Sequence, residues 1–230
     1  KKISKVQPEK FEFNKKNNNP NKNFLVEDIE LSAQTKKAIF LAREGKLLES
    51  AKIYNDLILK GKCNHLTFHR LAGVYEKLGK RKEAFQCLQK AIDIKKNYAE
   101  AYCDIGRYLL DAKEIKSALN CYSKALEYKP NLFGAYINIG NIYKKSGDLV
   151  EAMKYFQKSL EINNKIPITF YNIGTIYAIE KNYIDAERNY ESALECDKNF
   201  NPAKIGLVEI YLNTFNIKSL KKLKNYINNA

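Results

Sequence analysis

A pattern that returns every 34 residues constrains this chain more than any other feature of it. Its clearest copy runs from Tyr136 to Ser159: an aromatic, three on an aliphatic then Gly, three on Tyr, a Gly-Asp break, then Ala, four on Phe, three on a small residue. Stepping by the period gives columns. Phe68, Tyr102, Tyr136 and Phe170 lead; Leu71, Ile105, Ile139, Ile173 and Leu207 follow, beside Ala72, Gly106, Gly140 and Gly174. Then come Tyr75, Leu109, Tyr143, Tyr177 and Tyr211. The second half of each unit gives Ala84, Ala118, Ala152 and Ala186, then Leu88, Tyr122, Phe156 and Tyr190, then Ala91, Ala125, Ser159 and Ala193. A fixed period of this length means a repeat architecture, in which each unit buries its apolar face only against its neighbours.

Offsets of three and four put the apolar residues on one helical stripe. Each unit therefore reads as two helices, with small residues such as Gly140 and Ala152 where they approach and Tyr143 and Phe156 filling the space beside them. Gly79 and Gly147 sit at the break, where a left-handed residue ends a helix. The corresponding turns near Lys113 and Lys181 lack Gly, so a polar residue must take that conformation there. Pro130 falls at a joint between units, and Pro167 and Pro202 begin helices, where a missing N–H costs nothing.

These columns resemble the tetratricopeptide repeat family: an aromatic, two residues, Leu-Gly, two residues, Tyr, then Ala, three residues, Phe, two residues, Ala. The resemblance covers about residues 31 to 230 and implies an all-α, right-handed superhelical solenoid of antiparallel helix pairs. The units read as 31–64, 65–98, 99–132, 133–166 and 167–200, with a degenerate capping pair over 201–230. The first unit diverges, with Ser50 in the small column and Lys37 where Leu is expected. A helix from near Glu27 to Arg43 opens it and a second covers about Leu47 to Lys60. Residues 1–26, rich in Lys and Asn, read as a flexible or extended tail, and the last helix as a polar cap carrying Lys218, Lys221, Lys222 and Lys224.

Composition narrows the function classes. The chain is 45% hydrophobic and 29% charged, as in folded proteins of aqueous phases. No run reaches the roughly 18 apolar residues of a membrane span; Ile166 to Ile179 is uncharged but only helix-length. Five cysteines without a C-x-x-C pair point to a reducing, cytoplasmic setting and to packing roles. The net charge of +14 is uneven: residues 1–23 carry +5 and residues 201–230 carry +4, leaving +5 for the 177 between. Basicity on this scale suits nucleic acid or an acidic surface. An abundance of Lys, Asn and Ile, as AT-rich genomes encode, accounts for the charge without either, so nucleic acid is not the favoured partner. The chain does not begin with Met, which leaves room in this reading for further segments.

Enzyme signatures are nearly absent: there is no phosphate-binding Gly-rich loop, nucleophile elbow or zinc-type Cys/His spacing. His65 and His69 lie four apart with Cys63 nearby, but no further ligand type is fixed beside them, so no metal or other cofactor is expected. The 16 Tyr suit stacking platforms for bases, but most fall in packing columns.

In the resembled family the first helix of each unit lines a concave groove with the positions one, two and five after the leading aromatic, and one turn further on. Here these give His69, Cys103, Ile137, Tyr171 and Ile205; Arg70, Asp104, Asn138 and Asn172; and Gly73, Arg107, Asn141 and Thr175. The first half of the groove is mixed in charge; the second is apolar and Asn-bearing. Asn138 and Asn172 are similar to two rungs of the asparagine ladder in the repeats of O-linked N-acetylglucosamine transferase, while Arg70 and Asp104 depart from it. A Lys/Asn clamp for a terminal carboxylate is not matched, since Ile137 and Pro202 stand at its Lys positions. The reading is a non-enzymatic scaffold, with a monomer favoured, holding an extended peptide or a partner helix in its groove, an acidic partner being one option. Ile137, Ile168, Tyr171, Ile179 and Ile205 would form an apolar strip, with Asn138, Asn141, Asn172 and Thr175 as polar contacts and Lys144 and Lys145 at the rim. Its rivals are the substrate-selecting arm of a larger glycosyl- or sulfotransferase, and a nucleic-acid binder.

Overall fold

The computed structural model describes residues 33–214 together with Lys221. The N-terminal tail, the start of the first helix before Ala33, and Lys218, Lys222 and Lys224 of the expected cap lie outside them. Eleven helices follow one another among the described residues: α1 (Ala33–Arg43), α2 (Leu47–Leu59), α3 (His65–Lys77), α4 (Arg81–Ile94), α5 (Ala99–Asp111), α6 (Ile115–Tyr128), α7 (Phe133–Ser146), α8 (Leu149–Ile162), α9 (Pro167–Ile179), α10 (Tyr183–Cys196) and α11 (Asn201–Thr214). There is no strand among those residues, and each even helix packs on the odd one before it, then on the next odd one. The result is an all-α repeat solenoid.

Within each of the five pairs, the turn places one residue at positive φ: Gly45 at 78°, Gly79 at 74°, Lys113 at 64°, Gly147 at 87° and Lys181 at 59°. The two lysines thus adopt the left-handed conformation the period demands, at a steric cost that glycine avoids. The next residue's N–H reaches back five residues, as from Lys80 to the Tyr75 carbonyl and from Asp148 to that of Tyr143, satisfying carbonyls left open at the helix end. Helix starts are secured locally. Asn64 and Thr67 form a reciprocal capping box on α3, the Asp148 side chain accepts from the Glu151 N–H, and Pro167 opens α9.

The core runs along the stack. Tyr54, Leu88, Tyr122, Phe156 and Tyr190 are at most 3% exposed, and the last three sit against a glycine of the paired odd helix. The fit is tight: a methyl group added at Gly106, Gly140 or Gly174 would come within 2.7–2.8 Å of the ring of Tyr122, Phe156 or Tyr190. Where a polar residue enters a small column it finds a partner. Ser50, fully buried, donates to the Ala38 carbonyl at 2.8 Å. Ser159 meets Thr169 at 3.4 Å across the joint between units, both fully buried.

Candidate functional site: the inner face of the odd helices

Consecutive odd helices also touch each other: α5 and α7, α7 and α9, α9 and α11. This crowding puts the odd helices on the inner side of the stack, and their unpacked residues line one continuous face.

Around α7 and α9 this face holds a half-buried cation. Lys144 donates from Nζ to Asn172 Oδ1 at 2.7 Å, and its Nζ lies 6.0 Å from the Tyr171 ring centroid. Among the described residues no carboxylate pairs with it, and burial pulls its ammonium below the usual lysine range. Asn172 is 3% exposed, and its Nδ2 has no hydrogen-bond partner. Tyr171 is half-buried, 5.7 Å from the Tyr190 ring and edge-on to Phe200 at 5.9 Å. Thr175 turns its hydroxyl onto the Tyr171 carbonyl at 2.8 Å. Asn138 is half-buried and donates to Cys103 Sγ at 3.7 Å, and Asn141 is half-buried. Lys145, Ile168, Ile179 and Ile205 are exposed, the last two at 56% and 59%.

Lys144, Tyr171 and Asn172 therefore form one cluster, with Ile168, Ile179 and Ile205 exposed on α9 and α11. Ile137 does not join them. It is 8% exposed and packs in the core with Phe156, Ile166 and Ile173, so the expectation that it lines the strip is corrected. The close approach of α9 to α7 covers this position. Asn172 is likewise buried, amide nitrogen included, so the expectation that it is an open polar contact of the groove is corrected; it acts here as the acceptor for Lys144.

The first half of the inner face is a network of pairs between units. Arg107 makes a bidentate ion pair with Glu76, with Nη2 to Oε2 at 2.9 Å. His69 Nε2 meets Asp104 Oδ2 at 2.8 Å, and the Tyr98 hydroxyl meets His69 Nδ1 at 2.7 Å. Tyr98 is buried, and that burial pushes its phenol upward. His65 packs edge-on against the same ring at 4.7 Å. The sequence showed this half as mixed charge but not the pairing. These partners lie 29 to 35 residues apart, close to one period but in different columns, so the period alone does not pair them. All five cysteines are free thiols, and burial pushes Cys87 up to about 12 and Cys103 to about 11.

Profiles of the tetratricopeptide repeat match residues 64–131 and 134–165. The chain is a tetratricopeptide repeat protein. Among curated proteins, the Hsp70-Hsp90 organising protein of Plasmodium falciparum is 33% identical over 60 residues, which is 26% of this chain and 24% of that protein. This chain thus matches about a quarter of that relative's length. Among solved structures, the C-terminal part of a repeat-containing protein from Cytophaga hutchinsonii superposes with a TM-score of 0.63 at 20% identity, covering 84% of this chain and 78% of that one. MamA gives 0.59 at 20% identity, over 74% and 97%. At such identities the likeness is one of fold. It accounts for the stacked pairs of this tetratricopeptide repeat protein.

Proposed function

We propose that this protein-interaction scaffold is non-enzymatic and holds an extended peptide across the inner face of α7, α9 and α11, and that the peptide carries an acidic residue beside apolar ones. The observation that carries the reading is Lys144. A half-buried ammonium without a carboxylate is costly, and a ligand carboxylate offsets that cost while gaining a charge-assisted bond. Tyr171 lies beside it as an aromatic surface, and Asn172 holds its Nζ by accepting a hydrogen bond. Exposed Ile179 and Ile205 continue the face as an apolar patch of the kind that marks binding surfaces. Such a surface suits peptides because groove-lining helices stack at a regular spacing of about 8–10 Å, close to three residues of extended chain.

The test is an array of 15-residue peptides varied in acidic and apolar content, probed with the full chain and with Lys144→Met. Peptides pairing Glu or Asp with Ile, Leu or Phe should be retained by the native chain. Lys144→Met should lose them by about tenfold or more, the scale of a charge-assisted hydrogen bond. Retention of basic peptides, or equal retention by the variant, contradicts the reading. Tyr171→Ala is a poorer test on its own, because Tyr171 also packs against Tyr190 and Phe200.

A further inference from the structure

Gly73 lies in the middle of α3, and nothing in the packing calls for a glycine there. Its φ is ordinary, and a methyl group added to it would meet nothing within 4 Å. Gly106, Gly140 and Gly174, by contrast, are held small by an aromatic ring. A glycine in a helix interior weakens the helix relative to alanine. What Gly73 provides instead is space: it borders a cleft of about 330 Å³ on the inner face, floored by Leu88 and walled by His69, Arg70, Glu76, Asp104, Arg107 and Tyr108.

The polar groups of this cleft are not equally committed. Both Glu76 oxygens are held by Arg107, and Asp104 is held by His69 with Arg107 beside it at 3.8 Å. Two groups remain open. Arg70 forms no ion pair among the described residues. Tyr108 is 9% exposed, and its buried hydroxyl has no hydrogen-bond partner. Glu76 is thus held at both oxygens and Asp104 at one, while the free donors of the cleft are the Arg70 guanidinium and the Tyr108 hydroxyl. A ligand that completes the cleft must bring an acceptor, and the unpaired guanidinium selects a carboxylate over a carboxamide.

We propose that the Gly73 cleft is a second side-chain pocket of the groove, taking a glutamate-sized acidic residue of the same bound peptide on Arg70 and Tyr108. This rests on the peptide reading above. α3 and α7 are two units apart, roughly 16–20 Å at ordinary helix spacing, so the residue in this cleft lies about five or six positions from the one at Lys144.

The pocket is tested with a probe that does not depend on Lys144. ¹⁵N-labelled full chain is titrated with N-acetyl-glutamate N-methylamide, and separately with the glutamine counterpart. The Gly73 and Tyr108 amides should shift saturably with the glutamate probe, with an affinity at least several-fold weaker for glutamine. Gly73→Leu should abolish those shifts while leaving helicity and melting temperature intact, since its side chain enters open space. Lys144→Met should leave them unchanged, and Arg70→Gln should weaken them by tenfold or more. No saturable shift at Gly73, or the same shift in Gly73→Leu, overturns the pocket. If peptides still bind at Lys144 in that case, only the pocket fails; if neither probe nor peptide binds, the groove reading fails with it.

Discussion

Single atoms in the core show how closely the columns are specified. Tyr122 and Phe156 occupy the same column and are both fully buried, but only Tyr122 carries a hydroxyl, and that hydroxyl has no partner. Burying an unpaired hydroxyl costs about 1–3 kcal/mol. Tyr122→Phe should therefore stabilise the fold by about 1 kcal/mol in urea denaturation; a loss of stability would mean that the hydroxyl is satisfied. Gly140→Ala should do the reverse, costing about 1–3 kcal/mol, because the new methyl is driven into the Phe156 ring. The same change at Gly73 should be neutral or stabilising by up to about 1 kcal/mol. At this scale the sequence displayed the columns but not which glycine was needed for packing. Gly73, one residue beyond the small column, looked like another groove position, and only the empty space around it sets it apart.

Helix boundaries were largely legible, because turn chemistry recurs with the period. Gly79 and Gly147 marked two breaks, and the columns located two more at Lys113 and Lys181 without any glycine. Those two lysines supply a direct test. Lys113→Gly and Lys181→Gly each remove a left-handed penalty of about 1–2 kcal/mol, partly offset by the greater freedom of glycine in the unfolded chain. Each should raise stability by about 0.5–1 kcal/mol, measured by thermal or urea unfolding; destabilisation would contradict the assigned backbone. What a single helix does not reveal is how near its neighbour lies. Ile137 and Tyr171 share a column, yet one is 8% exposed in the core and the other half-buried on the inner face. That difference depends on side chains one period away, which a helical wheel of α7 alone cannot represent.

At the scale of the whole molecule, the described residues form a stack in which each helix touches those adjacent to it in sequence and little else. Stability in such stacks is a sum of units and nearest-neighbour interfaces. Phe156→Ala should cost about 3–5 kcal/mol, and native-state hydrogen exchange should show the loss concentrated in α7, α8 and the adjoining α9. Uniform acceleration from α1 to α11 would show that the stack unfolds as one unit. The repeat class was legible from the period, since four copies hold one phase. The inter-unit links were not, because Lys144 to Asn172 and Glu76 to Arg107 pair residues whose columns differ. The central claim is that an acidic, apolar peptide lies along the inner face. It is tested most directly by mapping amide shifts of the ¹⁵N-labelled chain against the strongest peptide from the array. The account predicts shifts confined to inner positions of α7, α9 and α11, centred on Lys144, Tyr171 and Thr175 and reaching Ile205, and lost in Lys144→Met. Shifts centred on the even helices, or a footprint that survives Lys144→Met unchanged, would contradict it.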